Sequence, residues 1–156
     1  MMNTQHQGWS RTVRAGALFT AILFAGCATT QSGKEVKVML SGANETPPVT
    51  SGASGSGSFK VGEDKSVSGS VTTSGVVVTA AHIHVGAAGK NGPVAIGLVK
   101  TADNVWSVPA DAKFTDDQYK AYLAGETYVN VHSAANKGGE IRGQLQPSGA
   151  SKGMGY

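Results

Sequence analysis

Cysteine is nearly absent: Cys27 is the only one in a chain of 156 residues. No intramolecular disulfide is possible, and a paired-thiolate metal or redox centre is excluded. Charged residues are also scarce, at 15%. The formal charge of +3 rests partly on Arg11 and Arg14, which stand in a stretch of 26 residues without Asp or Glu. Beyond it, 11 Lys and Arg face 10 Asp and Glu. No basic stripe remains to neutralise a row of phosphates, so nucleic acid is not an expected partner. No helical pattern follows Gly138-Gly139 that would make it a phosphate loop. Long apolar runs are missing too. Residues 15–26 (AGALFTAILFAG) form a run of 12, whereas a spanning helix needs about 20.

That run is read as the core of a signal peptide over residues 1–26, with Arg11 and Arg14 as its positive region. It ends in Phe24-Ala25-Gly26-Cys27, which resembles a bacterial lipoprotein processing site with Phe24 where leucine is usual. The resemblance implies cleavage before Cys27 and a lipid on its thiol. Ala28 follows, with no aspartate at that place, and this resembles outer-membrane sorting toward the periplasm. The expected organisation is a lipidated tether at 27–33, a domain at 34–147 and a flexible tail at 148–156. An ordinary secretory signal with a cysteine nearby is the alternative.

Glycine is abundant, at 22 residues, about twice its usual share of roughly 7%. It follows no three-residue period, which excludes collagen, and it disfavours a helical bundle. Alternation of period two dominates instead. Val36, Val38 and Leu40 alternate with Glu35, Lys37 and Met39. Ala81, Ile83 and Val85 alternate with His82 and His84. Val129 and Val131 alternate with Tyr128, Asn130 and His132, and Ile141, Gly143 and Leu145 with Glu140, Arg142 and Gln144. With shorter signals at 59–61, 66–74, 94–99 and 105–108, these predict an all-β antiparallel sandwich or small barrel of about eight strands. Residues 51–58 (SGASGSGS) look like a linker, but they lie between strand signals and are read as a loop leading into a strand. One short helix is expected over 115–124. Thr115 stands at its cap, Asp116 and Asp117 in its first turn, and Gly125 at its stop.

Three histidines fall in two glycine-flanked segments, AAHIHVG at 80–86 and YVNVH at 128–132. Residues two apart on a strand share a face, with Cα atoms about 6.5–7 Å apart, so His82 and His84 point the same way. A third imidazole must come from another strand, and His132 is the candidate. Three neutral nitrogens at one point suit copper or zinc, since calcium and magnesium prefer oxygen. The competing reading is a structural polar network, because histidines on a strand often hydrogen-bond to backbone carbonyls. Asn130, Glu140 and Arg142 are candidate partners to orient an imidazole, and an exposed Glu140–Arg142 pair is the alternative for those two. No acid–base set beyond Glu140 accompanies the histidines, so binding is expected in preference to catalysis. A structural or adhesive module without metal stays open beside it.

The segments LSGANETPPV at 40–49, AAHIHVGAAGKNGPVAIGL at 80–98 and LAGETYVNVHSAANKGGEIRGQL at 123–145 resemble the CHRD domain, a module named from chordin and widespread in bacterial secreted proteins. The likeness covers about 34–145. It departs at Asn136-Lys137-Gly138-Gly139, where the family more often has Asn-Pro-Gly-Gly. It implies a β-rich extracellular module. The His-x-His strand and the later strand ending in a third histidine are also similar to the copper ligands of copper-zinc superoxide dismutase. This chain lacks that family's bridging histidine and its disulfide cysteines.

Overall fold

The computed structural model describes residues 1–2 and 33–148. Cys27, the apolar run before it and the tail beyond Ser148 lie outside the described residues. Nine strands run β1 (Glu35–Ser41), β2 (Ser54–Val61), β3 (Val67–Ser74), β4 (Val78–Val85), β5 (Val94–Gly97), β6 (Val99–Ala102), β7 (Val105–Ser107), β8 (Thr127–Ser133) and β9 (Ile141–Leu145). One helix, α1 (Asp116–Leu123), lies between β7 and β8. The hydroxyl of Thr115 accepts from the Gln118 N–H, and the Gln118 side chain returns the bond to the Thr115 N–H, so both ends of a capping box are present.

All strand pairs are antiparallel, in the order β5-β4-β8-β9-β1-β2-β3-β7-β6. The two end strands are consecutive in the chain and separated only by Leu98. The sheet therefore curls into a nearly closed barrel, in which one extended stretch pairs with β4 in its first half and with β7 in its second. This change of partner accounts for nine strands where the sequence predicts about eight. The apolar run at 94–99 reads as one strand because hydropathy carries no record of which neighbour the backbone bonds to.

The alternation sorts as the pattern predicts. Ile83, Val129, Val131, Ile141 and Leu145 are all fully buried in the barrel interior, joined there by Val36, Val38, Leu40, Phe59 and Val71. The Gly-Ser stretch becomes β2, and its glycines face inward: a Cβ on Gly55 would meet the side chains of Ile141 and Leu40, and one on Gly57 would meet the Phe59 ring. Small residues beside large ones are how a narrow barrel fills its interior. The linker-like composition is thus packing against Phe59 and Ile141.

The outward face of β4, β8 and β9 is not simply solvated. Segments 42–53 and 86–93 lie over it, bonded by Asn44 Nδ2 to the Arg142 carbonyl (3.1 Å), by Gln144 to the Gly86 carbonyl (2.8 Å) and by Arg142 to the Lys90 carbonyl (2.8 Å). Between them runs a polar layer that holds the histidines.

Candidate metal centre

Register decides which side chains meet on this face. Across the β4–β8 pair, Ala80 stands opposite His132, His82 opposite Asn130 and His84 opposite Tyr128. Asn130 in turn faces Arg142 across the β8–β9 pair. His84 and His132 start two residue positions to either side of the His82–Asn130 pair and lean toward it. Their ring centroids are 6.2 Å apart, and His82 lies 5.5 Å from His84 and 4.9 Å from His132. One ligand atom from each of the three lies within 4.8 Å of the others. The structure thus brings His82, His84 and His132 to one point, with Asn130 opposite His82 in the register.

The backbone fixes two of the three tautomers. His84 Nδ1–H donates to the Gly92 carbonyl at 2.9 Å, and His132 Nδ1–H donates to the Lys137 carbonyl at 2.9 Å. A neutral imidazole carries one proton, so the Nε2 of each ring is left with a lone pair. His132 Nε2 uses it to accept from His82 Nδ1 at 3.0 Å. His84 Nε2 is buried and has no partner. Burial holds His82 and His84 below the ordinary histidine range; the neighbouring imidazoles push both the same way, and the Gly92 carbonyl opposes this at His84. These two rings stay neutral, and able to coordinate, into mildly acidic solution.

The loop that supplies the Gly92 carbonyl is closely built. A Cβ on Gly92 would lie 1.7 Å from the Val85 carbonyl oxygen, so no side chain fits there. The Gly92 N–H donates to the Tyr128 hydroxyl at 3.2 Å. The Tyr128 ring stacks on His84 (4.9 Å between centroids, 8° between planes) and carries the Arg142 guanidinium 3.4 Å from its centroid. The strand order β4-β8-β9 thus becomes a stack of imidazole, phenol and guanidinium. Arg142 is 1% exposed and donates to the carbonyls of Ala87 (3.0 Å) and Lys90 (2.8 Å) and to Asn91 Oδ1 (3.4 Å). It does not touch the His84 ring and acts on it through Tyr128, through the 86–93 loop and through its charge, which helps keep that imidazole neutral.

Glu140 is 7% exposed. It accepts from Ser51, from Ser133 (2.7 Å) and from Asn136 (2.6 Å), and these bonds hold its carboxyl below the usual range. It fixes the turn whose Lys137 carbonyl orients His132, two steps from the ring. Its hydrogen bonds and those of Arg142 go to separate partners.

Glu45 was not singled out by the sequence. It is 6% exposed, and its Oε2 accepts from Asn130 Nδ2 at 3.3 Å. Gly139 makes room for it: with φ at +151°, a Cβ there would lie 2.6 Å from Glu45 Oε1. Burial raises the carboxyl to about 7, against the opposing pull of the Arg142 guanidinium, the Thr46 backbone and the Asn130 amide, and with some help from Glu140. The folded chain therefore keeps a proton that the unfolded chain releases above its ordinary value of 4.5. Stability is full below that value and falls as pH rises toward 7. Glu45→Gln keeps the neutral shape, so the variant should match the wild type at pH 4 and exceed it by about 3 kcal/mol at pH 8. Urea unfolding at both pH values measures this, and a difference that does not vary with pH would contradict it.

A nearly closed all-β barrel with a histidine cluster on one sheet face, beside the 42–53 and 86–93 loops, is the class of domain these features define. A family model for the CHRD domain matches residues 36–145, and the chain belongs to the CHRD domain family. No curated protein and no solved structure matches it.

Proposed function

We propose that this CHRD domain is a lipid-anchored, extracytoplasmic binding module that holds one copper or zinc ion through His82, His84 and His132. The observation that carries the reading is the pinned pair of tautomers: backbone carbonyls take the Nδ1 protons of His84 and His132 and leave both Nε2 lone pairs aimed inward. A carbonyl behind each imidazole is the usual outer support of a metal ligand. The 3.0 Å between His82 Nδ1 and His132 Nε2 also suits a shared ion. Two nitrogens bound at about 2.0–2.1 Å with an angle of 90–110° stand about 3 Å apart. His82 Nδ1 and His132 Nε2 would then be ligand atoms, with the His82 proton on Nε2.

Titration of chelator-stripped protein tests this. One equivalent of copper(II) should bind, more tightly than zinc(II), with calcium and magnesium showing no binding. Each single His→Ala change should weaken copper binding by more than about 100-fold, since loss of an outer partner alone costs 10–100-fold. Binding that ignores all three substitutions would sink the proposal. A second reading has its own support: the His82–His132 bond braces β4 to β8 without any ion. It predicts no stoichiometric uptake and a loss of stability in the same variants. Anchoring rests on the 12-residue apolar run and Ala25-Gly26-Cys27, and mass spectrometry of native protein should find a lipid on Cys27.

A further inference from the structure

Gly33, which leads into β1, packs against the end of β2: a Cβ there would lie 2.6 Å from the Val61 carbonyl oxygen. The far end of the domain returns to the same place, where the Ser148 hydroxyl donates to the Glu35 carbonyl at 3.3 Å. Beside Gly33 is a groove of about 520 Å³, walled by Val61, Tyr119, Tyr122, Leu123 and Pro147. Leu123 is 53% exposed there, and Tyr119 stacks on Tyr122 with 6.2 Å between centroids. Charge does not mark this surface. Nearby lysines are matched by carboxylates: Lys65 by Asp116 (2.5 Å), Lys113 by Asp64 (3.3 Å) and Lys120 by Asp117 (3.2 Å). A leucine with tyrosines, in surroundings of balanced charge, suits the boundary between lipid headgroups and acyl chains.

The length of chain before Gly33 says what lies within reach. Residues 27–32 span at most about 20 Å when fully extended. A lipid on Cys27 would therefore hold this end of the domain within that distance of a bilayer, and a short tether makes even a weak contact with the surface intramolecular. The histidines lie toward the other end of the strands. Over its seven residues β1 advances about 20 Å from Glu35 to Ser41. Ser41 stands in one row with Arg142, Asn130 and His82 across β9, β8 and β4.

Resting on the lipid-anchor reading, we propose that the groove at Tyr119 and Leu123 is the membrane-facing surface of the domain. It seats on the bilayer at headgroup level and turns the histidine centre toward the aqueous side. The apolar contact orients the domain; the lipid on Cys27 keeps it there.

The test uses the natively processed protein in vesicles of phosphatidylethanolamine and phosphatidylglycerol. Because the lipid occupies the thiol of Cys27, the sole cysteine, an introduced cysteine is the one free thiol for a fluorophore. Ala124→Cys, next to Leu123, and Ala135→Cys, in the turn after His132, are both exposed positions. A doxyl-labelled lipid should quench the label at 124 and leave the label at 135 unchanged. Adding Leu123→Ser to Ala124→Cys should lower the ratio of seated to unseated domain about tenfold or more, for the loss of one leucine contact. If that double variant does not fold, the comparison of 124 with 135 decides alone. Equal quenching at both positions, or none at either, overturns the inference and leaves the anchor standing. Shielding of 124 from aqueous iodide without lipid quenching overturns it as well, since the groove is then covered by residues 149–156 or by a second copy. A free Cys27 thiol in the processed protein removes the anchor and this inference together.

Discussion

Arg142→Met is expected to destabilise the domain by about 3–5 kcal/mol, from two lost bonds to a charged donor at about 1.5–3 kcal/mol each, out of a total that for domains of this kind is about 5–15 kcal/mol. Methionine fills much of the same volume and can rest on Tyr128, so lost packing is the smaller part. The larger part is polar. The carbonyls of Ala87 and Lys90 lose the guanidinium that binds them at 3.0 and 2.8 Å, and each is left to find water or go unbonded. Glu45, only 6% exposed, loses the positive charge that most opposes its protonation. Arg142→Lys should recover little, because one ammonium cannot reach two carbonyls and Asn91 while lying flat on a ring. Thermal unfolding should show a fall of about 10 °C or more. Because the 86–93 loop also carries the Gly92 carbonyl behind His84, copper affinity should fall in the same variant although Arg142 is not a ligand. A cost below about 1 kcal/mol would mean that the loop is held by something else.

Phe59→Ala should cost about as much, 3–5 kcal/mol, for a different reason. The ring is 1% exposed, and glycine surrounds it. Gly69 is its partner across the β2–β3 pair, and a Cβ there would meet the Phe59 Cα at 2.7 Å; one on Gly57 would meet the ring at 2.5 Å. The price of a large-to-small change depends on how far the surroundings can collapse, and glycines have no side chains to send into the gap. Their positions are held by ladders on both sides, so the cavity persists. The cost should lie at the upper end of the range, and Phe59→Leu should recover more than half of it. Chemical denaturation of the two variants measures this.

The parts of this molecule that were legible in the sequence are those governed by neighbours one or two residues away. The alternation around Ile83, Val131 and Ile141 gave their burial, and it put His82 and His84 on one face. Thr115, Asp116 and Gly125 marked the helix because caps act within a turn. What escaped depends on distant segments. Alternation assigns Arg142 and Asn130 to the outside of the sheet, and they do point outward; they are buried because residues 42–53 and 86–93 fold over them. Glu45 sits in a segment with no periodicity, beside Pro47 and Pro48, and only the fold reveals that it lies against Asn130. The partner change at Leu98 is likewise a matter of which strands arrive on either side.

The seam between β1 and β9 governs when this domain can come into being. Ser41 pairs with Arg142, so the first strand waits for the last. At a synthesis rate of about 5–20 residues per second, some 5–20 s separate the two. During that time β1 can pair only with β2, at the end of a meander through β3, β7 and β6, and its other edge stays open. His82 and His132, 50 residues apart, also remain strangers until β8 has been made. The nascent chain therefore offers the cell a long interval with one edge of the sheet open, and the binding point comes into existence only near the end, once β8 has been made.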